Sequence, residues 1–532
     1  MTNKYLYLTL LAVLGFHAEG RGQQAQAGAT PRLVVSIAID QLRTDYMEAF
    51  APLYGEGGLK RLLNQGAVLA NAAYPFAPVD RASAIAAIAT GTTPYYNGIV
   101  GCQWLNRATL RPVGCVDDQK YTGMLTAETA SPAGLATSSL ADELKVATGG
   151  KALVYAIAPF RDAAVLAAGH AADAALWIDD IYGQWCSSTY YLQSMPQWLS
   201  TFNATKAPGE RINHITWEPL SEQTAAFNYY LQTTTDGKPF RHKFKDSQRF
   251  AEYKRSALVN TDVTDMAMRC VTTTGMGRDK VTDLLALTYY AGRFGQQSMT
   301  DCQMELQDTY VRLDLELDRL LTFIERNIGL EEVLVVLTST GYSDVEPADY
   351  ERFRIPTGTF NLSRTASLLN MYLGAIWGSD KYVETIFDNQ IFLNHQLLER
   401  KKISIGEATS RAQEIVAMMD GVRNVYTSLQ LLTTQSAQTE KTRNAFNPQR
   451  CGDIIIETAP GWRVLNEDTH ESHMPVNSYT QFPIIFFGAG VNPAQVVAQV
   501  TANPVGIERI APTIARAIRI RAPNACTAQP LF

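Results

Sequence analysis

The chain is poor in charge: Asp, Glu, Lys and Arg supply only 18% of its 532 residues, with a net charge of −6. No run of Lys or Arg forms a patch, so the basic footprint that binds a nucleic-acid backbone is missing and nucleic acid is excluded as a partner. Past the N-terminal region no stretch of about 20 uninterrupted apolar residues occurs, which excludes a later membrane-spanning helix. Internal repeats and low-complexity tracts are absent as well. What is present is a 46% apolar composition, enough to bury a large core and incompatible with a disordered or fibrous chain.

Residues 1–29 read as an export signal, with Lys4 as the positive flank, the short apolar stretch Leu6 to Phe16, and small-residue cleavage sites at Ala25-Gln26-Ala27 or Ala27-Gly28-Ala29. The expected location is therefore the bacterial periplasm or the exterior. No Cys adjoins the cleavage region, so a lipid anchor is not indicated. All seven Cys (102, 115, 186, 270, 302, 451 and 526) fall in the remaining chain, and in an exported protein that predicts some disulfides. Cys102 and Cys115 flank a segment able to turn back on itself and are the expected local bridge; unpaired buried thiols are the alternative.

Arg32 to Asp40 is an apolar run ending in an acid, the pattern of a central parallel strand whose C-terminal end faces a site. Similar runs occur at Ala152 to Ala158, Asp283 to Tyr290, Glu332 to Thr338 and Phe482 to Phe487. Amphipathic stretches at Gly57 to Gln65, Ala82 to Ala89, Ser139 to Thr148, Leu306 to Ile328 and Gly506 to Ile518 alternate with them. The pattern predicts an α/β fold, a doubly wound and mostly parallel sheet with helices on both faces. Two insertions at the C-terminal end of the sheet are expected within the 30–532 domain. One, about 175–255, is rich in Trp and Tyr and reads as an aromatic cap; the other, about 365–460, reads as a small α/β subdomain.

VVSIAIDQLRTDY (34–46), YGEGGLKRLLNQGAVLANA (54–72), the stretch ending TGTTPYYNGIVG (90–101), LADELKVATGGKALVYAIA (140–158), AAGHAADAALWIDD (167–180) and DTYVRLDLELDRLL (308–321) resemble the alkaline phosphatase superfamily. The phosphate-irrepressible bacterial alkaline phosphatases and the nucleotide pyrophosphatase/phosphodiesterases are the most similar branches. The resemblance implies two zinc ions about 4 Å apart that clamp the attacking and leaving oxygens of a phosphoryl transfer. It also implies six Asp and His ligands on loops at the C-terminal end of the sheet.

Mapped residue by residue, most of that chemistry is gone. Asp40 matches the first ligand. The nucleophile, a Thr or Ser at the start of the next helix, falls on Arg81, which is permanently protonated and cannot attack phosphorus. Ser83 is the one nearby hydroxyl, but two helical residues rotate a side chain by roughly 200°, away from the metal face. The phosphate-binding Asn falls on Cys102, and of the Lys-x-Arg pair the Lys falls on Pro159 while Arg161 survives. The remaining ligand positions fall on Arg293 and Gln297, on Thr340 and Gly341, and on Gln481. Five of six ligands are absent, so no metal cofactor is expected; zinc belongs to the alternative in which the site has been rearranged.

Two local readings stay open. His470 and His473, with Asp468 and Glu471, have donor types and spacing for a single metal, or form a solvated loop. Arg81, Arg161 and Arg293 could converge on a phosphate, sulfate or carboxylate, or an arginine could pair with Asp40 and plug the cavity. The function expected is a catalytically inactive pseudoenzyme with a binding or assembly role, serving an unknown protein partner or an anionic small ligand. The alternative is a metal-dependent phosphomonoesterase, phosphodiesterase or sulfatase-like hydrolase.

Overall fold

Every residue of the Leu33–Asp40 strand except Ser36 is buried, because the strand is paired in parallel on both edges, with Val333–Ser339 on one side and Asp283–Tyr290 on the other. A strand enclosed on both faces needs a continuous apolar sequence instead of an alternating one. In the computed structural model, which describes residues 30–226, 239–295, 302–344, 354–467, 470–476 and 478–532, this strand lies within a ten-stranded sheet. The order is Val505–Gly506, Ala67–Ala73, Phe482–Gly488, Val333–Ser339, Leu33–Asp40, Asp283–Tyr290, Val154–Ile157, Ala174–Ile178, Trp185–Ser188, Gly123–Met124. The leader and its cleavage sites, Gln297 and Asp468 lie outside the described residues.

The fold is the doubly wound, mostly parallel α/β architecture that the sequence predicts. Helices Arg81–Thr90 and Arg161–Ala168 pack on each other, while Leu258–Thr274 packs against the Asp283–Tyr290 strand and the long Gln303–Asn327 helix. Among the described residues no helix is long and apolar enough to cross a membrane. Phe482–Gly488 departs from expectation by running antiparallel to both neighbours; its apolar run signalled burial, and burial does not encode strand direction.

Within the 175–255 stretch three tryptophans are buried. Trp177 and Trp185 sit on sheet strands, and Trp177, Trp185 and Trp217 are among the largest fully buried side chains. The Trp217 indole donates to Asp308 Oδ2 at 2.6 Å, a satisfied polar end that lets so large a ring lie in the core. These three tryptophans are packing residues, whereas Tyr182 of the same stretch is exposed.

In the second insertion, Val383–Phe387, Gln390–Leu393, Ile454–Thr458 and Val422–Thr427 form a four-stranded antiparallel sheet, with helices Leu362–Trp377 and Ile405–Val416 closing a separate apolar core. It is clasped to a hairpin of the main domain, Gln103–Asn106 with Arg111–Gly114, where Arg107 donates to Asp453 Oδ1 at 3.0 Å and Oδ2 at 3.2 Å. Cys102 and Cys115 stand at the root of that hairpin, the Cys115 amide donating to the Cys102 carbonyl at 2.9 Å. The segment turns back as expected, yet the expected disulfide is not formed, and all seven Cys are unbridged. The Cys102 thiol is instead turned toward Asp162.

Candidate functional site

The site lies where the Leu33–Asp40 strand ends and the Arg81–Thr90 helix begins. Asp40 is fully buried, and Gln41 turns the chain away through a left-handed conformation at φ 64°. On the helix, Asp80 and Ser83 form a capping box: the Ser83 amide donates to Asp80 Oδ1 at 2.9 Å and the Ser83 hydroxyl to the same oxygen at 2.7 Å. Ser83 is thus occupied in starting the helix, a role that satisfies amides left open at every helix N-terminus. Ser83→Ala is expected to lower stability by about 1 kcal/mol and to leave any esterase activity unchanged, as urea unfolding and aryl-phosphate hydrolysis would show.

Arg81, the first residue of that helix, points back over the strand ends. Its Nη1 lies 3.4 Å from Asp40 Oδ2, and its Nε lies 3.1 Å from both carboxylate oxygens of Asp162. The guanidinium is stacked over the Phe160 ring, 3.9 Å from its centroid, a favourable cation–aromatic contact. Asp40 also receives the Thr340 hydroxyl at 2.9 Å, and the Gln41 amide donates to that same hydroxyl oxygen at 2.9 Å. One cation is therefore shared between two carboxylates.

The two acids respond differently. Burial pushes the Asp40 carboxyl above its ordinary range, with Arg81 and Thr340 pulling the other way. Burial acts on Asp162 in the same sense, but Arg81 overrides it and holds that carboxyl below its ordinary value. Geometry accounts for the difference, since Asp162 takes the two shorter contacts and Asp40 a single longer one in a fully enclosed position. Burial beside Asp80 and Asp162 pushes the Cys102 thiol well up, so it is a neutral hydrogen-bond donor to Asp162 Oδ2 at 3.3 Å and no nucleophile.

The other mapped residues do not join this cluster. Arg161 turns outward, donating to the Thr129 carbonyl and to Asp117, each at 2.7 Å, with Glu128 at 3.6 Å. Arg293 pairs with Asp344 at 2.8 Å. Gly341 has φ 67°, and a Cβ there would stand 2.4 Å from the Tyr74 ring and 2.6 Å from that of Phe482. His473 lies on the Glu471–His473 strand and pairs with Asp388 at 3.0 Å, while the exposed His470 occupies a turn before it. Asp162 went unnoticed in the sequence although it follows Arg161 directly; at a helix start, neighbouring residues face different sides, and only Asp162 faces inward.

These residues do not fit zinc. Asp40 offers two oxygens, one bonded to Thr340 and one facing Arg81; Thr340 and Gly341 supply neither carboxylate nor imidazole. No group of three or more His, Cys, Asp and Glu able to hold a metal ion occurs among the described residues. A catalytic zinc site takes three or more such donors, and the one carboxylate offered here already faces the Arg81 guanidinium.

The site and the sheet define a protein of the alkaline-phosphatase fold. The chain belongs to the type I phosphodiesterase/nucleotide pyrophosphatase family, whose family model matches residues 34–481. Among curated proteins it is similar to alkaline phosphatase PhoV of Synechococcus elongatus, at 28% identity over 98% of both chains. Among solved structures it is similar to wild-type alkaline phosphatase PafA, with 25% identity, a TM-score of 0.79 and coverage of 94% of this chain and 98% of that one. A variant of PafA with Thr→Ser, Asn→Ala, Lys→Ala and Arg→Ala substitutions matches equally, at TM-score 0.79, 25% identity and the same coverage of 94% and 98%.

Proposed function

We propose that this chain is an exported pseudoenzyme of the alkaline-phosphatase fold, its catalytic centre replaced by a structural ion pair and its role one of binding or assembly. The observation that carries this reading is Arg81, which stands where the resemblance puts the nucleophile and is held between Asp40 and Asp162. Spacing supports the mapping: the Thr and Asn altered in the PafA variant are as far apart in sequence as Arg81 and Cys102, and its Lys and Arg as far apart as Pro159 and Arg161. Phosphoryl transfer through this fold needs a nucleophile and charge-stabilising groups at the reacting centre. Here the nucleophile position carries a cation, and the surviving Arg161 is turned onto Asp117 and Glu128. The N-terminal charge and apolar pattern supports export to the periplasm or beyond.

The test is elemental analysis of the purified protein beside hydrolysis of aryl phosphate, phosphodiester and sulfate esters, with and without added zinc. The expected outcome is substoichiometric metal and no turnover above buffer. Two bound zinc ions with chelator-sensitive turnover would establish the rearranged hydrolase in place of the pseudoenzyme.

A further inference from the structure

Two clefts flank the Leu258–Thr274 helix, one of about 370 Å³ against the Gln197–Lys206 helix and one of about 420 Å³ against the Gln303–Asn327 helix. Met268 lines both, so the two are parts of one surface. Asp265, Met268, Arg269 and Thr272 of the middle helix follow the spacing of a single helical face. The first turn of that helix meets Tyr290 through Asn260. The clefts open on its second half, away from the Arg81 site at the strand ends.

The lining carries Lys206, Arg269, Arg319 and Arg326 against Asp265 and Asp318, an excess of positive charge on a chain whose net charge is −6. Its carboxylates are already engaged. Asp265 meets Arg319 at 2.6 Å and Lys206 at 3.9 Å, and Asp318 accepts the Thr322 hydroxyl at 3.1 Å. Arg319 is held a second time, by the buried Glu316 at 2.6 Å. Arg269 and Arg326, one in each cleft, are exposed and pair with no carboxylate among the described residues. Between these charges the lining is apolar: Phe202 is buried, and Met268 and Phe323 are half-buried.

We propose that this surface docks an acidic, amphipathic helix of a protein partner, its carboxylates meeting Arg269 and Arg326 and its apolar side chains lying on Met268 and Phe323. Charge complementarity selects that occupant. A rim of unpaired guanidinium groups steers and orients acidic groups, and the rigid fork of arginine donors matches a carboxylate. An apolar strip between the charges suits the one-sided pattern of an amphipathic helix laid in a groove, and methionine adapts its shape to such a face. The proposal names a partner class for the binding role given to this chain and rests on that reading, yet it does not depend on the absence of turnover.

The experiment is fluorescence anisotropy of the full protein at low ionic strength with a labelled helical peptide bearing Leu on one face and Glu on the other, beside the same peptide with Lys in place of Glu. Arg269→Glu/Arg326→Glu and a control on the distant hairpin, the exposed Arg111→Glu, are compared with the unmodified chain. Saturable binding of the Glu peptide is expected, weakened at least about tenfold in the double variant, unchanged in Arg111→Glu, and absent for the Lys peptide. No saturable binding by the unmodified chain, equal affinity in the double variant, or equal affinity for the Lys peptide overturns the proposal. Should the double variant fail to fold, Arg269→Gln/Arg326→Gln takes its place, and full affinity there overturns the proposal likewise. Inorganic phosphate bound in the peptide's stead with the same arginine dependence would make the occupant a small anion, and self-association lost in the double variant would make it a second copy of this chain; either result replaces the proposal. Ester hydrolysis on the same samples separates the two claims: turnover with arginine-dependent peptide binding removes the pseudoenzyme reading alone, and no peptide binding without turnover removes this one alone.

Discussion

Arg81→Ala is expected to destabilise the protein by about 3–5 kcal/mol at neutral pH, the range for removing one partner of a buried ion pair. The side chain is only 19% exposed, Asp40 is 0% exposed and Asp162 13%, so water cannot replace the guanidinium freely. The variant leaves two carboxylates facing each other without a counter-ion, and both must then titrate above their unfolded values.

The pH dependence carries the sign. In the unmodified protein Asp162 is depressed by Arg81, so its contribution is present above the unfolded carboxyl value and is lost as pH falls through the depressed one. Asp40 is raised by burial and therefore costs stability above the unfolded value, a cost relieved as acid protonates it. Without Arg81 both acids behave like Asp40, so the difference between variant and parent should be largest from neutral pH upward. It should shrink toward about pH 4, the ordinary carboxyl range. Urea unfolding of both proteins across that interval is the measurement, with Arg81→Ala/Asp40→Asn expected to recover part of the loss. A single variant within about 0.5 kcal/mol of the parent would show that Arg81 plugs nothing.

A second large effect is expected from an attempt to restore the ligand pair. Thr340→Asp/Gly341→His places the residue types of the family back after the Val333–Ser339 strand, but position 341 has φ 67° and its Cβ direction is filled by Tyr74 and Phe482. A histidine there incurs about 1–3 kcal/mol of backbone strain and about 1–3 kcal/mol of overpacking. Tyr74 is also tied down, since its hydroxyl donates to the Ser339 carbonyl at 2.9 Å. The double variant should unfold at a markedly lower temperature and take up no zinc in elemental analysis. A stable variant with stoichiometric zinc would mean that Tyr74 and Phe482 swing aside and that Asp40 with the two new donors is enough to hold an ion.

Much of this was legible in the chain. Apolar runs such as LVVSIAID and the helical spacings between them specified the doubly wound sheet, because burial on both faces of a parallel strand leaves a continuous pattern that few other elements share. The family resemblance set the nucleophile position on Arg81 and ligand positions on Thr340, Gly341 and Gln481, and the expectation of an inactive centre was legible from those residue types. Residue type decides which reactions are impossible, and that information is local.

What only the tertiary structure decided is where each polar group finds its partner. Asp162 is far from Arg81 in sequence and Tyr74 far from Gly341, yet they determine what those positions can do, and Arg161 is diverted to Asp117 and Glu128 on a different loop. Trp177, Trp185 and Trp217 of the aromatic-rich stretch are core, since composition records how apolar a segment is and not which side of it the rest of the chain covers. Pairing of charges is settled by contacts between segments far apart in the chain, as in Arg81 with Asp162, and no window of sequence contains them.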